Sequence, residues 1–186
     1  MINAMKNLTF ILGGARSGKS AYAEKLASAA GDPVLYIATA EILDEEMRRR
    51  IEHHRERRPA NWQTLEAPRQ IASALQLRLN EAEFQVCLLD CLSVWTSNII
   101  LSLPEDCDES TAWAAVQAEI DALLDVVQNH ANFSWIFVSN ETGMGVVPAY
   151  PLGRLYRDVL GRANQYMVAY AGSVYWMAAG IPVRIK

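Results

Sequence analysis

"TFILGGARSGKSAYAEKL", residues 9–26, decides how the rest of the chain is read. An apolar run over 8–12 ends at two glycines. Gly13, Gly18, Lys19 and Ser20 then complete the spacing G-x-x-x-x-G-K-[ST], and a helical pattern follows over 20–30. A strand before this spacing and a helix after it are the context that gives it physical meaning. The glycines let backbone N–H groups turn inward around phosphate oxygens. A helix opening near Lys19 adds the positive end of its dipole. In such a phosphate-binding loop (P-loop), residues Gly13, Gly14, Ala15, Arg16, Ser17 and Gly18 surround the phosphates. Lys19 reaches the outer ones, and the Ser20 hydroxyl serves a Mg²⁺ ion. Arg16 can contact phosphate or point to solvent.

A loop of this kind wants a carboxylate at the end of a neighbouring strand, near the metal. "QVCLLDC" supplies Asp90. Asp90 either serves Mg²⁺ or caps the helix that follows it. Asp32, in "GDP", reads as a turn residue.

Further apolar runs fall at 34–38, 62–65, 86–90, 135–139, 174–177 and 182–185. Helical patterns fall at 43–57, 69–83, 92–102, 109–131 and 152–171, with Asp108 placed to cap the helix over 109–131. Several of the strands are continuously apolar, as when helices cover both faces. Strand–helix alternation predicts an α/β fold with a mostly parallel sheet of P-loop NTPase-like (RecA-like) type. Ala179-Gly180 leaves no room for a crossover helix, so the last two strands should form an antiparallel hairpin at the sheet's edge.

The 186 residues suit one domain over 1–186, with 1–7 as a flexible N-terminal tail. Hydrophobic residues are 51% and charged residues 20%, which excludes a disordered chain. A net charge of -4 argues against a protein that coats nucleic acid. Three cysteines without a CxxC pair argue against a disulfide framework or a zinc site and fit a reducing cytoplasm. The uncharged stretch between Arg162 and Arg184 is interrupted by Asn164, Gln165, Gly172, Ser173, Gly180 and Pro182, so no membrane span is expected.

"IEHHRERRP", residues 51–59, places His53 and His54 together among arginines, although the chain has only 3 histidines. On the helix over 43–57, Leu43, Met47, Ile51 and His54 share one face, and His53 turns away from it. A surface or structural role is one reading. The other is nucleophilic: a neutral imidazole nitrogen attacks phosphorus and carries the transferred group. Like-charge repulsion from the arginines favours the neutral ring, and the arginines hold the triphosphate. A metal site fits poorly, because adjacent helical side chains diverge.

With these blocks in hand, the chain resembles the bifunctional adenosylcobinamide kinase/adenosylcobinamide-phosphate guanylyltransferase family of cobalamin biosynthesis. The resemblance runs from Phe10 almost to the end. It is carried by "GGARSGKS" at 13–20, "LYIATA" at 35–40, "ILDEEMRRRIEHHRERRPANWQTLE" at 42–66, "LLDCLSVWTSN" at 88–98, "SNETGMGVVP" at 139–148 and "YRDVLGRANQ" at 156–165. It implies phosphorylation of adenosylcobinamide by ATP or GTP. Transfer of GMP from GTP to that phosphate follows, through a guanylyl-histidine at His53. It implies further nucleotide contacts at Ala38, Thr39, Ala40, His54, Arg55, Glu56, Arg57, Glu66 and Asp90, with Mg²⁺ at Ser20 and Asp90. It also implies a homotrimer with the nucleotide site near a subunit interface.

The chain departs from the family's common pattern in three places: Asp90 stands for Glu, "ATA" for "ATS" at 38–40, and Arg57 for Gly. Asn140 and Glu141 sit where open α/β sheets place ligands. Glu141 serves either metal or substrate, or a turn. Arg154, Arg157 and Arg162 are read as partly structural. Two rivals remain: a single-function P-loop kinase for another small metabolite, which leaves His53 idle, and a nucleotide-switched module binding nucleic acid through the arginines.

Overall fold

The computed structural model describes residues 4–41, 45–56 and 58–186, without the side chains of residues 46, 47, 50, 53 and 54. The strands are β1 (Met5–Gly13), β2 (Val34–Ala38), β3 (Gln63–Glu66), β4 (Val86–Asp90), β5 (Ser134–Asn140), β6 (Ala171–Ala178) and β7 (Ile181–Arg184). The helices are α1 (Lys19–Ala30), α2 (Glu45–Glu56), α3 (Ile71–Glu81), α4 (Leu92–Leu101), α5 (Glu109–Asn129) and α6 (Pro151–Tyr170). Each expected strand and helix is present, most with ends displaced by a few residues; positions 43, 44 and 57 of the helix expected over 43–57 lie outside the described residues.

The seven strands form one sheet in the order β3-β2-β4-β5-β1-β6-β7. All neighbours run parallel except the final pair, β6 and β7. The predicted edge hairpin is therefore present. Its turn places Ala179 at φ 49 and Gly180 at φ 85, the positive values that a two-residue hairpin turn of the primed type requires.

Two apolar layers explain the continuously apolar strands. Phe10, Leu35, Cys87, Leu89, Trp135 and Phe137 face a layer that includes Val116, Ile120, Leu123 and Val127 of α5 and Val159, Ala163 and Met167 of α6. The alternate residues Ile11, Val34, Tyr36, Val86, Leu88, Ile136 and Val138 face Ala23 and Ala27 of α1. Small residues on α1 let that helix lie close to the sheet. Asp108 caps α5 as expected, its carboxylate accepting from the Thr111 N–H at 2.7 Å.

The expected tail over 1–7 is corrected for residues 5–7, which belong to β1. Met5 pairs with Ala171, and the Asn7 side chain donates to the Phe133 carbonyl at 3.0 Å. That stretch has its partners on β6 and just before β5, which its own composition does not reveal. The uncharged stretch before Arg184 resolves into the end of α6, β6, a turn and β7. Among the described residues, no helix is long and apolar enough to cross a membrane.

Candidate active site

β1 ends at Gly13, and the chain turns through residues 14–18 into α1. Arg16 at φ 57 and Gly18 at φ 94 make the turn. The Ser17 N–H donates to the Gly14 carbonyl at 3.3 Å, and the Tyr22 N–H to the Gly18 carbonyl at 3.0 Å. The loop is also braced from outside: the Gly180 N–H in the β6–β7 turn donates to the Ser17 carbonyl at 2.9 Å. The two edge strands thus support the loop.

Lys19 is buried, and its Nζ donates to the Gly14 carbonyl at 2.6 Å. Burial pulls its pKa below the ordinary lysine value; the nearby Cys91 and Asp90 groups partly oppose this. Asp90 ends β4, and its Oδ2 accepts from the Tyr36 hydroxyl at 2.9 Å. Burial, then Asp90, raises the Tyr36 phenol well above its usual range, so this O–H stays protonated and donating. The Arg58 guanidinium lies 3.4 Å from the centre of the Tyr36 ring. An arginine, a phenol and a carboxylate therefore form one chain toward the loop.

These groups face a cleft of about 1030 Å³. Of the residues expected to bind nucleotide, Ala15, Arg16, Ser17, Gly18, Lys19, Ser20, Ala38, Ala40, Arg55, Glu66 and Asp90 line it. Gly13, Gly14 and Glu56 do not form its wall. Arg57 lies outside the described residues, as do the side chains of His53 and His54. Residues flanking the pair, Arg49, Ile51 and Arg55 of α2, do line the cleft. Arg55 is ion-paired with Glu66 at the end of β3.

The Thr39 side chain, expected at the nucleotide, is buried elsewhere. Its Oγ1 donates to the Cys91 carbonyl at 2.9 Å and accepts from the Cys91 N–H at 2.8 Å, tying the end of β2 to the start of α4. Alternation along an extended chain points 38 and 40 one way and 39 the other. A hydroxyl at 40 would have faced the cleft, where this chain carries Ala40.

Glu141 takes the turn reading: its carboxylate accepts from the Gly143 N–H at 2.6 Å. Arg154 donates to the Pro148 and Ala149 carbonyls, and Arg162 pairs with Glu109 and stacks over Trp113. The sequence reading counted Arg58 among the arginines that hold the triphosphate and assigned no individual role to Tyr36, Glu41, Arg49 and Cys91; all five line the cleft. A tyrosine in mid-strand and arginines in a charged helix carry no signal of this by themselves. Five basic side chains on the wall face three acidic ones, although the whole chain is at -4. That local excess suits a polyphosphate.

A glycine loop between a strand and a helix, a buried lysine and a carboxylate on a neighbouring parallel strand define a P-loop nucleotide-binding protein. The model of the family described as cobinamide kinase / cobinamide phosphate guanyltransferase matches residues 9–185, and the chain belongs to this family. It is 45% identical over 177 residues to the bifunctional adenosylcobalamin biosynthesis protein CobP of Pseudomonas aeruginosa, covering 95% of each chain. It is 40% identical over 184 residues to the bifunctional adenosylcobalamin biosynthesis protein CobU of Salmonella typhimurium, and 39% identical over 184 residues to that of Escherichia coli. In both cases 96% of this chain and 99% of the relative are covered.

Proposed function

We propose that the chain phosphorylates adenosylcobinamide with a nucleoside triphosphate and then transfers GMP from GTP to adenosylcobinamide phosphate through a guanylyl group on His53. The observation that carries this reading is a shared wall: the loop residues 15–20 and Arg49, Ile51 and Arg55 of α2 line the same cleft. His53 stands in α2 between Ile51 and Arg55.

In the first reaction the substrate hydroxyl oxygen bonds to the γ-phosphorus. The bond from that phosphorus to the β–γ bridging oxygen breaks, the nucleoside diphosphate leaves and the hydroxyl proton is released. The loop amides and Lys19 hold the phosphates in line and offset the charge that develops on them. The donor set fits Mg²⁺, which binds through one or two protein ligands plus phosphates and waters. Ser20 and Asp90 both line the cleft, and the Tyr36 hydroxyl fixes the carboxylate of Asp90. These two residues would hold the ion, which would supply positive charge against that developing on the phosphates. In the second reaction a nitrogen of His53 bonds to the α-phosphorus and pyrophosphate leaves. A phosphate oxygen of the substrate then bonds to that phosphorus as the P–N bond breaks. Arg49, Arg55 and Arg58 offer the positive charge that the polyphosphate needs on this side.

The same reading takes GTP and ATP as nucleotides, a homotrimeric assembly and a cytoplasmic location. Its test is intact-protein mass after incubation with GTP and Mg²⁺, followed by peptide mapping. The expected result is an acid-labile GMP adduct on peptide 51–55, absent in His53→Asn. An adduct on His54, or none under conditions where the nucleotide binds, overturns the histidine assignment.

A further inference from the structure

The cleft has one more polar side chain on its wall, and neither the loop nor the arginine helix supplies it. Asn140 ends β5, which lies between β1 and β4 in the sheet. The register sets Asn140 opposite Gly13 and Val138 opposite Asp90. Asn140 thus stands level with the start of the P-loop, two residues beyond the carboxylate. Val138 and Asn140 share a face by strand alternation, and both line the cleft.

The surroundings of Asn140 are built to hold it. Its Nδ2 donates to Ser93 Oγ at 3.0 Å. Ser93 is itself buried, its Oγ also contacts Cys91 Sγ at 2.9 Å, and its carbonyl accepts from the Tyr156 hydroxyl at 3.2 Å. The backbone of Asn140 is fixed too. Its carbonyl accepts from Asn164 Nδ2 at 3.1 Å, and Asn164 Oδ1 accepts from Ser139 Oγ at 2.7 Å. Asn164 is buried, and it is the asparagine of the "GRANQ" stretch that the function had not used.

An amide nitrogen carries two N–H donors. Among the described residues, Ser93 takes one of them and is the partner of this side chain. We propose that the second N–H of Asn140 binds the γ-phosphate of the nucleotide, making Asn140 a catalytic residue of phosphoryl transfer, with Ser93 as the positioning residue that aims it. The assignment of phosphoryl transfer to this cleft rests on the function proposed above; contact with a γ-phosphate does not. A neutral donor suits a strand flanked by β1, which leads into the Lys19 loop, and by β4, which ends at Asp90. It stabilises charge growing on the equatorial oxygens without competing with the ammonium for the carboxylate.

The test compares Mg²⁺ complexes of a non-hydrolysable triphosphate and of the corresponding diphosphate, titrated calorimetrically against the full chain, Asn140→Ala and Ser93→Ala. Asn140→Ala should lose about tenfold of the preference for triphosphate over diphosphate, as expected for one hydrogen bond to a charged group. Turnover of cobinamide phosphorylation should fall by about 10²-fold or more, as for removal of one transition-state donor, with a smaller change in KM. Ser93→Ala should lose part of that turnover in the same pattern, which simple loosening of the fold would not produce. An unchanged triphosphate preference in a folded Asn140→Ala protein overturns the proposal, whatever the corrinoid result. Absence of phosphorylation in the unaltered chain, with the triphosphate preference lost in the variant, strikes the functional reading instead.

Discussion

The two walls of the cleft are built by different physics. The loop wall is mostly backbone, held from β1, from α1 and from the Gly180 turn, with Lys19 only 8% exposed. The α2–β3 wall is mostly long charged side chain: Arg49 is 78% exposed at its side chain and sits 3.8 Å from Glu45. Exposed pairs of that kind contribute about 0–1 kcal/mol each. The first wall is therefore shaped before nucleotide arrives. The second is held by exposed ion pairs that bind weakly. Substitutions in the first should act through shape and be insensitive to salt; those in the second should act through charge and be screened.

The largest effect should come from adding one carbon behind the loop wall, where β1 enters the loop. A Cβ at Gly13 would lie 2.7 Å from the Met177 carbonyl oxygen and 2.7 Å from Ser17 Oγ. The first neighbour is backbone of β6 and cannot swing aside. Gly13→Ala should destabilise the protein by about 1–3 kcal/mol, the usual range for overpacking, and cut triphosphate affinity by about 10²-fold. Arg49→Ala, on the other wall, should change stability by less than about 1 kcal/mol. Thermal unfolding with and without nucleotide checks both. Equal shifts in the two variants would remove the distinction between the walls.

The next effect is one of pH. Burial lowers the pKa of Lys19, so its folded value lies below the unfolded one. Between the two values the unfolded chain binds more protons, and the stability of the nucleotide-free protein rises as pH climbs through that window below 10.5. Nucleotide binding runs the opposite way, because it uses the charged ammonium. Triphosphate affinity should fall by roughly tenfold as pH rises through the lowered value. Lys19→Arg should bind more weakly at neutral pH but lack this alkaline fall, since guanidinium keeps its charge. Parallel pH profiles for the two proteins would mean that the decline belongs to another group.

Much of the loop wall could be read from the sequence, because its chemistry is local. Four residues at fixed spacing, a strand before and a helix after leave little freedom. The strands were legible for a similar reason: with both faces covered, Val86 through Leu89 had to be apolar throughout. The α2–β3 wall was legible only by residue type. That Arg49 and Arg58 share a cleft with Lys19 follows from β2 lying between β3 and β4, and strand order is written in no single segment. Thr39 shows the opposite case. Alternation from Ala38 and Ala40 already turned it away from the cleft, and the resemblance obscured this. Residues 5–7 were lost because a polar strand start resembles a tail until its partners on β6 are known.

The smallest effect probes whether the walls are joined. Arg58 stacks on Tyr36 at 3.4 Å and donates to Thr64 Oγ1 at 3.3 Å, while the Tyr36 hydroxyl holds Asp90. This is the one contact chain among the described residues that runs from the arginine side to the carboxylate beside the loop. Arg58→Lys keeps the charge and loses the flat face that stacks, a change of about 1 kcal/mol. The KM for triphosphate should rise about threefold to fivefold with little change in kcat. Tyr36→Phe keeps the ring for Arg58 and removes the O–H that fixes Asp90. If the chain acts as a unit, the double variant should be no worse than the more damaging single one, since either break releases the carboxylate from the arginine side. Strictly additive losses would mean that Arg58 and Asp90 meet the nucleotide independently. The two walls would then cooperate only through the ligand between them.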